Sequence, residues 1–174
     1  MTPPVNDQSL PRGVASAPAG TVHVHFDGAC EEVDGRRVAA YGYALEGAAL
    51  HHEDFGLAVP PGHPRATNNV AEYIAAICAL EWLVREGFGG DVQLSGDSQL
   101  VIRQMTGEYR VLAEHLRPYH ERLLQLVRTF HHVDFRWVPR EENRTADELS
   151  KRGVELGRSS RGPAPGRSTP GTGD

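Results

Sequence analysis

At 174 residues, with 39% hydrophobic and 24% charged residues and a net charge of −5, the chain is sized for one domain with a sizeable core. No apolar run approaches membrane-spanning length, and the first twenty residues lack the basic start and apolar stretch of a secretory signal. Two cysteines, Cys30 and Cys78, make no disulfide framework, so no disulfide scaffold is expected and a reducing, cytoplasmic setting is.

Residues 1–20 and 157–174 are rich in Pro, Gly, Ser and Thr without periodicity and read as flexible tails around a folded part at 21–156. The folded part opens on a period-two alternation that puts Val22, Val24 and Phe26 on one strand face and His23, His25 and Asp27 on the other. Asp34-Gly35 marks a turn into a second strand over 38–45, and Glu46-Gly47 a turn into a third over 48–57. After a proline-rich loop, Asn69 and Glu72 have the spacing of a capping box, followed by an apolar helix that ends at Glu86-Gly87. A short strand at 92–94 leads to Asp97 at a natural N-cap position, with a helix running on to Met105 and a stop at Gly107. Apolar residues from Leu112 to Phe130 recur at helical spacing, a strand follows at 133–138, and Pro139 separates it from a last helix ending near Gly153. The order β-β-β-α-β-α-α-β-α implies an α/β fold. Three antiparallel strands with two parallel additions form a five-stranded mixed sheet, with helices on both faces.

Charge is unevenly placed. Residues 1–100 hold 13 Asp/Glu against 5 Lys/Arg, whereas residues 101–174 hold 10 against 13. Such asymmetry suits an acidic site beside a moderately basic surface, although exposed arginines on amphipathic helices would give the same numbers.

Four acids stand out within this frame: Asp27 in Phe26-Asp27-Gly28-Ala29-Cys30, Glu72 in Asn68-Asn69-Val70-Ala71-Glu72, Asp97 in Gly96-Asp97-Ser98-Gln99, and Asp147 in Ala146-Asp147-Glu148-Leu149. Singly, each has a plain explanation. Glu72 could complete a capping box, Asp97 could cap a helix, and Asp147 could be one exposed helical acid. Folded as one sheet, the four converge on one edge, where carboxylates repel unless hard divalent cations lie between them.

These four segments, in this order and at these intervals, resemble type 1 ribonuclease H of the ribonuclease H-like superfamily, over about residues 21–152. The resemblance implies the ribonuclease H-like fold and a metal-dependent endoribonuclease that cuts the RNA strand of RNA–DNA hybrids. Asp27, Glu72, Asp97 and Asp147 would be both the catalytic residues and the ligands of two Mg²⁺ ions, with Mn²⁺ as a substitute, and the products would carry a 5′-phosphate and a 3′-hydroxyl. It also assigns substrate contacts: Asn68, Asn69 and Gln99 on the minor-groove side with its 2′-hydroxyls, Thr67 on a DNA phosphate, the backbone of Gly28 and Ala29 against the RNA, and Ser98 as a further substrate-binding residue. A monomer with no obligate protein partner and no membrane association is expected.

Two departures from the family pattern matter. The loop at 139–143 holds no histidine where many members carry one thought to assist proton movement or product release, as in compact archaeal and bacterial members. Arg140, Glu142 or solvent could take its place. The lysine-rich protrusion of longer members is also missing, leaving Arg103, Arg110, Arg117, Arg122 and Arg128, so hybrid affinity is expected to be modest and salt-dependent. Alternatives are a nuclease on double-stranded RNA or RNA–DNA junctions using the same site, and a catalytically silent hybrid-binding module.

Overall fold

The structure is a computed structural model, and it describes residues 20–159. The expected tails at 1–20 and 157–174 therefore lie outside the described residues, except for Gly20 and for residues 157–159, which continue the last helix. The elements are β1 (Thr21–Val33), β2 (Arg36–Gly47), β3 (Leu50–Leu57), α1 (Asn68–Arg85), β4 (Asp91–Gly96), α2 (Gln99–Met105), α3 (Arg117–Val127), β5 (His132–Trp137) and α4 (Arg144–Ser159). Short 3₁₀ turns at Glu114–Leu116 and Arg140–Glu142 precede α3 and α4.

The sheet order is β3-β2-β1-β4-β5, with β1–β2 and β2–β3 antiparallel and β1–β4 and β4–β5 parallel, which is the expected mixed sheet. Val22, Val24 and Phe26 are fully buried, as their alternation predicts, and pack with Val70, Tyr73, Leu80 and Leu83 of α1 and Leu116 and Leu123 around α3. On the opposite face Val38 and Ala40 of β2 pack against Val154 of α4. Helices thus cover both faces, and among the described residues no helix is long and apolar enough to cross a membrane.

Several expectations need correction. β1 does not stop at Phe26 but runs on to Val33, because β2 pairs with it as far as Val33↔Arg36, so Asp27 lies mid-strand. The second turn is made by Ala48 and Ala49, both at positive φ, rather than by Glu46-Gly47. Left-handed φ at both central residues is what a two-residue hairpin needs to match strand twist. The helix expected from Leu112 begins only at Arg117, and Leu112 itself is 77% exposed. The last helix continues to Ser159, six residues past its expected end, because Gly153 and Gly157 lie against β2 and β3 instead of stopping it.

Candidate active site

Two glycines bring the helices onto the strand that carries Asp27. A Cβ on Gly28 would collide with the backbone of Glu72 and Ala71, so α1 can sit this close only because Gly28 has none. Gly42, paired with Asp27 across β1–β2, does the same on the other face: a Cβ there would run into the backbone of Ser150 and lie 2.7 Å from the carbonyl of Ala146. The Cα of Gly28 is thus covered by α1 on that face. Asp97 joins from the adjacent parallel strand, one residue beyond the Phe26↔Gly96 pair.

The expected caps shift by one or two residues. Thr67, not Asn69, caps α1, its hydroxyl accepting from the Val70 N–H at 3.2 Å. Ser98, not Asp97, caps α2, accepting from the Val101 N–H at 3.3 Å. Both acids are thus released from capping. Glu72 is 3% exposed and Asp27 6%. One oxygen of each of Asp27, Glu72 and Asp97 lies within 4.8 Å of the others. Asp147 stands apart from this trio, held by Arg140 Nη2 at 2.7 Å and Lys151 Nζ at 2.6 Å. All four acids line one open depression of about 350 Å³, together with Gly28, Ala29, Asn68, Ser98, Arg140 and Lys151.

Of the expected substrate residues, Gly28, Ala29, Asn68 and Ser98 line the depression, while Thr67, Asn69 and Gln99 do not. Asn68 donates to Glu72 Oε1 at 3.5 Å, and Gln99 is exposed on the first turn of α2. In the loop after β5, Arg140 faces the acids and Glu142 faces a separate cleft shared with His25 and Asn143. Arginine keeps its proton, so Arg140 can neutralise Asp147 but cannot act as a base.

The electrostatics follow from burial. Burial, then the charges of Asp97 and Asp147, push Asp27 up to about 7, against the pull of a Ser150 hydrogen bond. Burial raises Glu72 well above the carboxylate range, and the charges of Asp27 and Asp97 add to it. At Asp147 burial pulls upward as well, but hydrogen bonds from Lys151 and Arg140 outweigh it and the net shift is downward. Glu72 Oε2 is the one buried side-chain polar atom among the described residues without a hydrogen-bond partner. An orphaned carboxylate oxygen beside two more carboxylates, in a buried and acidic pocket, is a donor set that fits a hard divalent cation.

Sequence reasoning passed over four residues here. Ser150 donates to Asp27 Oδ2, and Lys151 pairs with Asp147. The buried Asn143 donates to the Phe26 carbonyl at 2.9 Å, and the half-exposed Trp137 donates its indole N–H to the Asp97 carbonyl at 3.1 Å. Ser150 and Lys151 could have been found, since they stand three and four residues after Asp147 on the same helix face. Asn143 and Trp137 act through backbone carbonyls on other strands and leave no local signal.

A ribonuclease H-like sheet with a carboxylate cluster built from the middle of β1, the carboxyl end of the parallel β4 and the first turns of α1 defines the class. Comparison with known proteins agrees: residues 25–153 match the family described as reverse transcriptase-like. The chain is 38% identical over 138 residues to Ribonuclease HI of Halobacterium salinarum, covering 78% of this chain and 65% of that protein. It thus spans just under two thirds of that relative's length. The crystal structure of RNase H1 from the same archaeon superposes with a TM-score of 0.67 at 34% identity, covering 78% of this chain and 98% of the other. The N-terminal RNase H domain of Rv2228c from Mycobacterium tuberculosis gives a TM-score of 0.69 at 27% identity over 80% and 97% of the two chains. LC11-RNase H1, solved in complex with RNA/DNA hybrid, gives 0.67 at 28% identity over 78% and 97%. The chain belongs to the type 1 ribonuclease H family.

Proposed function

We propose that this protein is a metal-dependent endoribonuclease that hydrolyses the RNA strand of RNA–DNA hybrids, within a catalytic domain at residues 21–156. The observation that carries the reading is the buried trio Asp27, Glu72 and Asp97, with Glu72 Oε2 unpartnered, in a fold shared with a relative solved on such a hybrid. Asp27, Glu72 and Asp97 would hold divalent cations, Mg²⁺ or Mn²⁺, two per site, and Asp147 would join them from α4. Bound cations of this kind supply Lewis acidity toward a phosphoryl oxygen and lower the pKa of a water.

The chain's own groups do the rest. Asp27, held from the α4 side by Ser150 and close to the charges of Asp97 and Asp147, would be one of the carboxylates that hold the cations. Arg140 and Lys151 balance Asp147 and put positive charge where a phosphate must approach. Asn68 and Ser98, on the rim, offer an amide and a hydroxyl suited to 2′-hydroxyls, and Gln99, exposed beside them, extends that surface. In-line attack by water would break the P–O3′ bond and leave a 5′-phosphate and a 3′-hydroxyl.

The test is a hybrid with its RNA strand end-labelled, incubated with Mg²⁺ or Mn²⁺, beside an RNA duplex and beside the Asp97→Asn variant. Internal cuts in the hybrid that require metal and disappear in the variant are expected. Equal cutting of RNA duplex would move the substrate to double-stranded RNA. Hybrid bound in EDTA but never cut with either metal would leave a binding module.

A further inference from the structure

Ser150 is fully buried on α4, and nothing in the polar chemistry of a helix interior requires a hydroxyl at that place. Its Oγ lies within hydrogen-bond reach of two acceptors, Asp27 Oδ2 on the sheet face that α4 covers and the Asp147 carbonyl one turn back at 2.9 Å. A hydroxyl has one proton, and a carboxylate oxygen is the stronger acceptor. The contact exists because Asp27 faces Gly42 across the ladder and Gly42 admits the backbone of Ser150 directly above it. A donor on one oxygen of Asp27 fixes the rotation of its carboxylate plane, and so the direction its other oxygen presents to Glu72 and Asp97.

We propose that Ser150 is a positioning residue for the cation site: its hydroxyl locks the Asp27 carboxylate in the orientation that the cations need. This rests on the reading of Asp27, Glu72 and Asp97 as a cation site. Hydrogen-bond partners of metal ligands commonly change metal affinity by about 10–100-fold when removed. Ser150→Ala keeps the helix, fills the same space less one oxygen, and leaves the Asp27 carboxylate free to rotate.

The experiment measures Mn²⁺ binding to the whole chain without nucleic acid, by the electron paramagnetic resonance signal of free Mn²⁺, for wild type, Ser150→Ala and Ser150→Thr. Melting midpoints in EDTA are taken on the same samples. The expected result is a Mn²⁺ Kd raised about tenfold in the alanine variant, a midpoint in EDTA lowered only by the loss of one hydrogen bond, and a smaller loss of affinity in the threonine variant, which keeps the hydroxyl. Wild-type binding in Ser150→Ala, or equal weakening by Ala and Thr, would overturn the inference while leaving the cation site standing. A wild-type chain that binds no Mn²⁺ would remove the cation site itself, and the role of Ser150 with it.

Discussion

Buried acids at this density make the metal-free protein sensitive to pH in a direction that can be worked out. Asp27 holds its proton up to about 7 in the fold, because of burial first and its acidic neighbours second, and Glu72 is shifted the same way. The native state then binds protons that the unfolded chain has already released, so stability in EDTA falls as pH rises from about 4 to about 7. Asp147 works in the opposite sense: its stabilisation is present above its unfolded pKa and is lost as pH falls through the lowered folded value. Urea midpoints measured in EDTA between about pH 4.5 and about pH 8 should therefore decline, with a flatter profile for Asp27→Asn. A midpoint that climbs across that range would mean the two acids are not the dominant titrating groups. Glu72→Gln sharpens the point. It should stabilise the metal-free protein increasingly as pH rises, because burial beside Asp27 and Asp97 opposes the charge that the wild-type carboxyl takes on and the amide never carries.

Glycines set how the elements meet, and the consequences are testable there. Gly42→Ala would push α4 off β2, with an expected loss of about 1–3 kcal/mol, and would part Ser150 from Asp27, so hybrid cleavage should fall further than stability alone explains. Retained activity in a folded Gly42→Ala protein would show that α4 tolerates displacement. At the hairpin, Ala48 and Ala49 both adopt left-handed φ, which costs a residue with a Cβ about 1 kcal/mol each, so Ala49→Gly should raise the thermal midpoint. The same elements show what the chain discloses on reading. The alternation of Val22, Val24 and Phe26 and the order of the four acids disclose the sheet and the site, because both are local patterns repeated along the chain. The caps misled by a residue or two, since Thr67, Asn68 and Asn69 are all good cap formers. The choice among them comes with the docking of Glu72 against Gly28, a contact between distant segments. Ser150 over Gly42 is hidden for the same reason: it depends on the strand register that sets Gly42 beside Asp27.

For the whole molecule the question is how a net charge of −5 meets a polyanion. The basic second half offers less than its arginine count suggests. Arg122 is paired with Glu81 at 2.7 Å, Arg158 with Glu31 at 2.6 Å, and Arg103 lies over the Tyr109 ring within 3.9 Å of Glu108. Three arginines of the second half are thus engaged elsewhere, and the four acids of the depression repel phosphate until cations neutralise them. Binding of labelled hybrid, followed by fluorescence anisotropy with Ca²⁺ present to suppress cutting, should weaken with salt at a log–log slope no steeper than about −3. In EDTA the affinity should drop several-fold, and Asp27→Asn with Asp97→Asn should restore part of it by removing charge from the depression. A slope near about −6 would require roughly six or seven phosphate contacts, and would mean that arginines outside these ion pairs, such as Arg110, Arg117, Arg128 and Arg136, reach phosphates as well.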